Sequence, residues 1–305
     1  MTSREHPDVE SDLTLPQQQD IPPVASLAHD IPPVASLAHD IRLRADHLSI
    51  GYDDTPIIAN LTVDVLDGRI TAIVGPNACG KSTLLRGLAR LLKPTAGQVI
   101  LDGHDIIAMH TKEVARKLGL LPQTSIAPEG ITVADLVSRG RFPHQKVLRQ
   151  WSRDDEAAVA DAMQATGVTE LGGRLVDELS GGQRQRVWVA MVLAQQTPLV
   201  LLDEPTTYLD IAHQIELLDL FTSLNRDQNR TIVAVLHDLN HACRFADQII
   251  AMKSGAVVRQ GPPREVITAE LVQQVYGLEC QIIDDPQTGT PLVIPRASPH
   301  ARNRT

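Results

Sequence analysis

The sequence predicts an α/β fold in which a parallel sheet carries a helical insertion. Three short apolar runs, RITAIV, PLVLLDE and TIVAVLHD, have the length and composition of buried strands, and helical segments separate them. Residues 131–195, between the first and second runs, carry mostly helical patterns. The chain has 305 residues, 43% of them hydrophobic and 21% charged, which is typical of a globular protein with one large domain or two ordinary ones.

Residues 1–41 are predicted to form a disordered acidic arm. The decapeptide IPPVASLAHD occurs there twice, at 21–30 and 31–40, and the first forty residues hold one arginine and seven acidic side chains. Two ten-residue copies are too few and too short for a solenoid, so a flexible arm is favoured over the alternative, a docking peptide. We find no signal-peptide core and no apolar run of the ~20 residues that span a bilayer, so a membrane role is expected to come through a partner.

Composition narrows the function classes further. Outside the acidic arm the chain is close to neutral, which argues against a nucleic-acid-binding surface, since such surfaces are normally basic. The three cysteines, Cys79, Cys243 and Cys280, are widely spaced. This number and spacing favour neither a disulfide framework nor a zinc site, and they indicate a reducing compartment.

The remaining elements follow in chain order. IRLRADHLSIGY and NLTVDVLDG alternate like half-buried strands, and RITAIV leads into a glycine-rich loop. Leucines then recur at helical spacing, and Pro94 is expected to stop that helix. GQVILDG predicts another strand.

The insertion, about 126–195, contains the helical segments VADLVSRG, RDDEAAVADAMQATG and GGQRQRVWVAMVLAQQ. IAHQIELLDLFTSLN forms a helix before the last apolar run. The final unit, 276–305, contains ECQIIDDPQTGTPLVIP, which predicts a strand–turn–strand and a tail.

The glycine-rich loop has the pattern of a phosphate-binding loop, G-x-x-x-x-G-K-[ST], in its proper place between a strand and a helix. Small residues allow backbone N–H groups to surround phosphates, while the lysine supplies a charge and the serine a hydroxyl for Mg²⁺. The pattern predicts that nucleotide phosphates are bound by Gly75, Pro76, Asn77, Ala78, Cys79, Gly80, Lys81, Ser82 and Thr83, and that Ser82 is also a ligand of Mg²⁺. Cys79 is either a small residue that fits or a thiol made reactive by the helix start.

Further polar residues follow apolar runs and are expected at the same crevice. Asp203 is a candidate Mg²⁺ ligand, and Glu204 can polarise the attacking water. His237 ends another strand; a lone histidine is usually structural, but this strand belongs to the same sheet. Gln123 can touch both Mg²⁺ and water. Tyr52 either stacks on the adenine ring or packs as a strand-end aromatic.

A second helix start suited to an anion occurs in LSGGQRQR, at Ser180, Gly181, Gly182 and Gln183. The order of GPNACGKST, LLPQ, LSGGQ, LVLLDEP, TYLD and VLHD resembles the ATP-binding cassette (ABC) ATPases over about residues 42–260. The resemblance implies a P-loop NTPase core at 42–275, with a parallel sheet, an antiparallel β subdomain and the helical insertion. Ala78 replaces a glycine common in relatives, and little effect is expected.

The resemblance also explains the second helix start. In this family two cassettes pack head to tail around two ATP molecules, and each ATP touches the phosphate loop of one copy and the LSGGQ helix of the other. It implies that Ser180, Gly181, Gly182 and Gln183 bind the partner's ATP, and that Asp210 couples the two sites. A homodimer is therefore expected, since one chain carries one copy of each segment.

Three segments also resemble one group within the family, and this similarity favours an importer. ITVADLVSRGRFPHQ, PTTYLDIAHQIELLDL and the C-terminal segment resemble cassettes that power iron–siderophore and vitamin B12 uptake. This implies an ATPase at the cytoplasmic face of the membrane, bound to separate permease subunits and served by an external substrate-binding protein. The segment 139–144 would face the permease or form a basic surface loop. Ferric siderophore is the expected cargo; alternatives are import of vitamin B12, haem or metal, an exporter, and a soluble ABC protein without a transport role.

Overall fold

The computed structural model describes residues 41–52, 55–123, 126–145 and 151–296. The predicted disordered arm and its tandem decapeptide lie outside these ranges. The strands are β1 (Ile41–Tyr52), β2 (Thr55–Leu66), β3 (Ile70–Val74), β4 (Ala96–Leu101), β5 (His104–Asp105), β6 (Leu118–Leu121), β7 (Leu199–Asp203), β8 (Thr231–Val235), β9 (Gln248–Lys253), β10 (Ala256–Gly261), β11 (Cys280–Asp284) and β12 (Pro291–Pro295).

The α-helices are α1 (Lys81–Leu88), α2 (Thr111–Lys117), α3 (Val133–Ser138), α4 (Arg153–Ala165), α5 (Gly181–Ala194), α6 (Ile211–Gln228), α7 (Leu239–Phe245), α8 (Pro263–Val266) and α9 (Ala269–Tyr276). Short 3₁₀ turns cover Arg139–Arg141, Thr169–Leu171 and Val176–Glu178. Across the described ranges, every helix is too short or too polar to cross a membrane.

A six-stranded sheet forms the centre of the fold, in the order β10-β9-β3-β8-β7-β6. Its strands are parallel except β10, which pairs antiparallel with β9. Strands β3, β7 and β8 are buried along their whole length, and their sequences ITAIV, LVLLD and TIVAV are continuous apolar runs because both faces of the sheet are covered. The predicted α/β fold with a parallel sheet is confirmed.

Two hydrophobic cores lie on the two faces of this sheet, as the alternation within each strand requires. On β7, Leu199 and Leu201 belong to one core, whereas Val200 and Leu202 belong to the other. The first core is shared with α1 and with a four-stranded antiparallel sheet, ordered β2-β1-β4-β5. The second is shared with α5, α6 and α7. The antiparallel β subdomain implied by the family resemblance is therefore present.

The segment between β6 and β7 is mainly helical, and polar side chains begin its helices. Thr132 accepts a hydrogen bond from the Asp135 backbone at the start of α3. Ser152 and Asp155 form a capping box at α4, as do Ser180 and Gln183 at α5. Such reciprocal bonds satisfy N–H groups that a helix start leaves free. The start of the LSGGQ helix is thus fixed by its own sequence.

The helix after the phosphate loop ends earlier than the sequence predicts. Helix α1 stops at Leu88, six residues before Pro94. Arg90 has a φ of 60°, and the Leu91 N–H donates to the Arg86 carbonyl at 2.8 Å. These are the marks of a Schellman C-terminus, which ends a helix without proline. The Arg90 guanidinium also donates to the carbonyls of Ile106 and Met109, which compensates for its unusual backbone.

Candidate functional site

A cleft of about 770 Å³ lies at the carboxyl ends of the parallel strands. It is lined by Ile57, the loop Asn77–Thr83, Gln123, Glu204 and His237. The loop follows β3, while Gln123, Glu204 and His237 follow β6, β7 and β8. Parallel strands deliver their ends to one edge, so four separate sequence segments converge there. The structure brings together the phosphate loop and the three residues predicted to act in catalysis.

The phosphate loop is tightly packed against the sheet. A Cβ atom on Gly75 would lie 2.3 Å from the Met252 carbonyl oxygen and 2.8 Å from the Cys79 Sγ, which requires glycine at this position. Ala78 has a φ of 59°, a conformation that costs an alanine about 1 kcal/mol. The alanine at this position therefore carries local strain. The predicted small effect of Ala78 stays a prediction.

The Lys81 ammonium lies inside the loop. Its side chain is buried, and Nζ donates to the carbonyl oxygens of Gly75 and Pro76, both at 2.9 Å. A buried ammonium needs such acceptors, because it is otherwise costly to remove from water. Phosphate oxygens are stronger acceptors than carbonyls. The geometry therefore allows Lys81 to exchange loop carbonyls for phosphate.

Ser82 and Asp203 form an oxygen pair next to the loop. The Ser82 hydroxyl donates to Asp203 Oδ1 at 2.9 Å, and Asp203 is almost fully buried. Burial raises the pKa of Asp203; the Ser82 bond opposes this change, and the charge of Glu204 reinforces it. A cation at this position would reverse that penalty on the charged carboxylate. Within the described ranges, no group of three or more histidine, cysteine or acidic side chains forms a complete metal site. One or two protein oxygens plus phosphates suit Mg²⁺, so the residues fit that ion.

Glu204 and His237 line the same cleft and are in contact with each other. Glu204 Oε1 lies 2.7 Å from His237 Nε2, with the Glu204 side chain 12% exposed and the histidine 45% exposed. Glu204 has a φ of 54°, an uncommon conformation for a non-glycine residue and one that is enriched at functional sites. The arrangement holds a carboxylate at the phosphate loop in direct contact with an imidazole ring.

Several predicted residues lie outside the cleft lining. Tyr52 is 41% exposed, and its hydroxyl accepts a bond from Arg86 at 3.0 Å. The LSGGQ residues and Asp210 begin α5 and α6; a Cβ on Gly181 would lie 3.4 Å from the Tyr208 side chain. Neither group is among the residues that line the cleft of the same chain. The structure thus separates the phosphate loop from the second helix start.

Sequence reasoning missed Ile57, which lines the cleft from β2 and carries no distinguishing sequence signal. It also left open a reactive Cys79. That thiol is buried, and burial raises its pKa despite the nearby Lys81 charge. A raised pKa leaves less thiolate at neutral pH. Burial therefore favours the alternative in which Cys79 is a small residue that fits the loop.

Comparison with known proteins decides the family. The ABC transporter family model matches residues 58–207. The chain is 56% identical over 264 residues to the ferric enterobactin transport ATP-binding protein FepC of Escherichia coli (strain K12), covering 86% of this chain and 97% of that protein. The chain belongs to the ABC transporter family. As an ATP-binding cassette of this family it is a transport ATPase.

Other ABC proteins extend the comparison. The probable siderophore transport ATP-binding protein YusV of Bacillus subtilis (strain 168) is 53% identical, over 86% of this chain and 94% of that protein. The hemin import ATP-binding protein HmuV of Thermobifida fusca (strain YX) is 42% identical, over 83% of this chain and 88% of that protein. The dimeric bacterial ABC cassette MJ0796 superposes with a TM-score of 0.66 at 26% identity, over 72% of this chain and 98% of that structure. The resemblance to ABC ATPases and the predicted P-loop NTPase fold are confirmed.

Proposed function

We propose that this ABC ATPase energises the uptake of ferric siderophores through separate permease subunits. The observation that carries the proposal is the 56% identity to a ferric enterobactin transport protein across almost its entire length. Relatives named for petrobactin and achromobactin are each 54% identical. The hemin importer HmuV, at 42%, keeps haem as a second candidate cargo.

The cleft supports a direct role in hydrolysis. Lys81 binds the outer phosphates, and the loop N–H groups surround them. Mg²⁺ held by Ser82 and Asp203, with Gln123 beside it, would neutralise phosphate charge. Glu204 orients and polarises the attacking water, while His237 holds the Glu204 carboxylate in place at 2.7 Å. Tyr52 stacks on the adenine ring.

The separation between the phosphate loop and the start of α5 supports a second copy of the chain as one partner. The Ser180–Gln183 helix start binds the ATP held by the loop of a second copy, and Asp210 links the two composite sites. The dimer sits at the cytoplasmic face of the membrane as a peripheral subunit. Its helical insertion contacts the permease, and an external binding protein delivers the cargo. Exposed Phe142, at the surface of the insertion, suits the permease contact.

The mechanism is tested by Glu204→Gln, which keeps the size of the side chain but removes its negative charge. We expect ATP binding within twofold of wild type and hydrolysis reduced by roughly 10²-fold or more. The variant should accumulate as an ATP-bound dimer in size-exclusion chromatography with ATP and Mg²⁺. Turnover at the wild-type rate would exclude Glu204 as the residue that polarises water.

The cargo is tested separately, in a strain that lacks the gene and grows under iron limitation. Uptake of radiolabelled ferric siderophore should fall, and wild type should restore it, whereas Lys81→Ala should not. Haem uptake measured in the same strains discriminates between the candidates. Normal ferric-siderophore uptake with lost haem uptake would assign haem as the cargo and leave the ATPase mechanism intact.

A further inference from the structure

Strands β11 and β12 form a C-terminal hairpin. None of the residues that line the nucleotide cleft belongs to this hairpin. It packs instead on helix α7. Val293 of β12 is buried in the same core as Ala242 and Cys243 of α7. Helix α7 begins two residues after His237. The hairpin is therefore attached to the helix that follows a residue at the reaction centre.

One side chain makes this attachment specific. Asn240 Oδ1 accepts a bond from the Val293 N–H at 2.7 Å, and Asn240 Nδ2 lies 3.4 Å from the Val293 carbonyl oxygen, to which it donates. Both backbone groups of Val293 thus point away from β11 and towards Asn240. For this one residue the amide takes the place of a neighbouring strand, and it satisfies the outward N–H and carbonyl groups of Val293.

His237 is held from both ends of its short segment. On one side, the Leu236 N–H donates to the Ile73 carbonyl in the central sheet at 3.1 Å. On the other side, Asp238 begins α7 by accepting from the N–H groups of Asn240 at 2.7 Å and His241 at 3.0 Å. The His237 ring itself is 45% exposed, and its interaction with Glu204 is polar. Its position therefore depends strongly on the backbone on either side.

Helix α7 has seven residues, fewer than an isolated helix needs to be stable in water. Its placement must come from packing. Ala242 and Cys243 bury one face in the core, and Asn240 fixes the first turn to the hairpin. Loss of the Asn240 bonds would free the end of the helix that lies closest to His237.

We propose that Asn240 is a positioning residue: by binding Val293 it lets the C-terminal hairpin hold α7 so that His237 stays at Glu204. The inference rests on the proposed role of His237 in hydrolysis. It assigns the hairpin a function in catalysis without any contact between the hairpin and nucleotide.

The test compares ATP turnover of the full-length chain in Asn240→Ala, Asn240→Asp, His237→Ala and Arg244→Met. Asn240→Ala should lower kcat at least about fivefold with the KM for ATP within about twofold, because the phosphate loop is untouched. Asn240→Asp keeps the 2.7 Å acceptor for Val293 and should recover most of the lost rate. Arg244→Met is the matched control, since it removes the bond between the far end of α7 and Gln287 of the hairpin and should keep wild-type kinetics.

Rates are compared at a temperature at which thermal melts show every variant to be folded, so a general loss of stability does not mimic the result. Wild-type kcat in Asn240→Ala, with His237→Ala inactive, would overturn the inference and leave the proposed function intact. An equal loss of kcat in Arg244→Met would also overturn it, because any weakened hairpin would then suffice. Equal rates for wild type and His237→Ala would overturn the proposed role of His237 itself.

Discussion

Gly75 joins the parallel sheet to the phosphate loop, and both its φ of 153° and the close packing around it favour glycine. We expect Gly75→Ala to lower ATP affinity at least tenfold, because the added Cβ would lie 2.3 Å from the Met252 carbonyl and displace the loop. Gly103→Ala is the control: its φ of 79° is also positive, but nothing lies within 4 Å of the added atom. That variant should cost about 1 kcal/mol of stability and leave ATP affinity unchanged. Titration with a fluorescent ATP analogue measures both; equal affinities for the two variants would contradict the packing argument.

The cysteines give a second test at the residue scale. Burial raises the pKa of all three thiols, that of Cys243 to about 12, where the nearby Asp238 adds to the effect. At pH 7 to 8 each is therefore less ionised than a free cysteine, and each is also buried. We expect slow reaction with a thiol reagent in the native state and rapid reaction of all three in urea. Rapid native modification of Cys79 that ATP prevents would contradict the buried-thiol description.

The predicted residues that line the cleft share one property: each lies in a short continuous pattern at the end of a strand. Gly75–Thr83, Glu204 and His237 could be placed because a parallel sheet brings its strand ends to one edge. Ile57 could not, since its contribution depends on how β2 lies over the loop. Long-range packing of this kind leaves no local signal in the sequence.

At the scale of elements, Arg141 shows the same limit. The segment 139–144 is predicted either to face the permease or to form a basic surface loop, yet Arg141 is 4% exposed. Its Nε donates to Asp155 Oδ1 at 2.8 Å, and Nη1 donates to the Ala194 carbonyl at 2.7 Å and to Gln196 at 3.0 Å. One guanidinium thus connects the turn after α3 with the start of α4 and the end of α5. The surface-loop reading is wrong for Arg141, although Arg139 and Phe142 are exposed.

This ion pair predicts a pH dependence. Burial opposes ionisation of Asp155, but hydrogen bonds from Arg141 and Ser152 outweigh it and lower the pKa below 3.8. A depressed carboxyl pKa stabilises the fold fully above the unfolded value, and that contribution is lost as the pH falls through the folded value. Asp155→Asn should cost about 3 kcal/mol at pH 7, because Arg141 stays buried without its counter-charge. Urea unfolding from pH 7 to about pH 3 should show the difference from wild type shrinking only below about pH 4. A difference that grows on acidification would contradict the assignment.

The order of strands and helices was largely predictable, and the exceptions have physical causes. Strands β3, β7 and β8 are continuous apolar runs. Helices α4 and α5 begin at capping boxes, which are local sequence signals for a helix start. The end of α1 was misplaced because Arg90 adopts a left-handed conformation that usually belongs to glycine. The β9–β10 hairpin was not predicted from the sequence. Where the sequence has no local stop signal, tertiary hydrogen bonds such as those of the Arg90 side chain determine where the helix ends.

At the scale of the whole molecule, the two helix starts that we propose to bind phosphate do not share a cleft. The phosphate loop lines the cleft, whereas Ser180 begins α5 at an exposed surface next to Tyr208 and Asp210. Tyr208 is 77% exposed and has a φ of 68°, and Ile211 is 76% exposed. Exposed apolar side chains beside a capped helix start suit a surface that a second copy covers. The proposed head-to-tail dimer accounts for both features.

Mixing two inactive variants tests that dimer directly. Lys81→Ala disables the phosphate loop, and Ser180→Arg fills the space at the second helix start where the partner's phosphate would bind. In a head-to-tail heterodimer, the loop of the Ser180→Arg chain faces the intact helix start of the Lys81→Ala chain, so one complete site forms. Random pairing makes half of the dimers mixed, and each has one good site of two, so turnover should approach about a quarter of wild type if sites act independently. Each variant alone should be nearly inactive, although Ser180→Arg should still bind ATP as a single chain. If instead both helix starts served one ATP within one chain, every chain in the mixture would lack a component, and mixing would restore nothing.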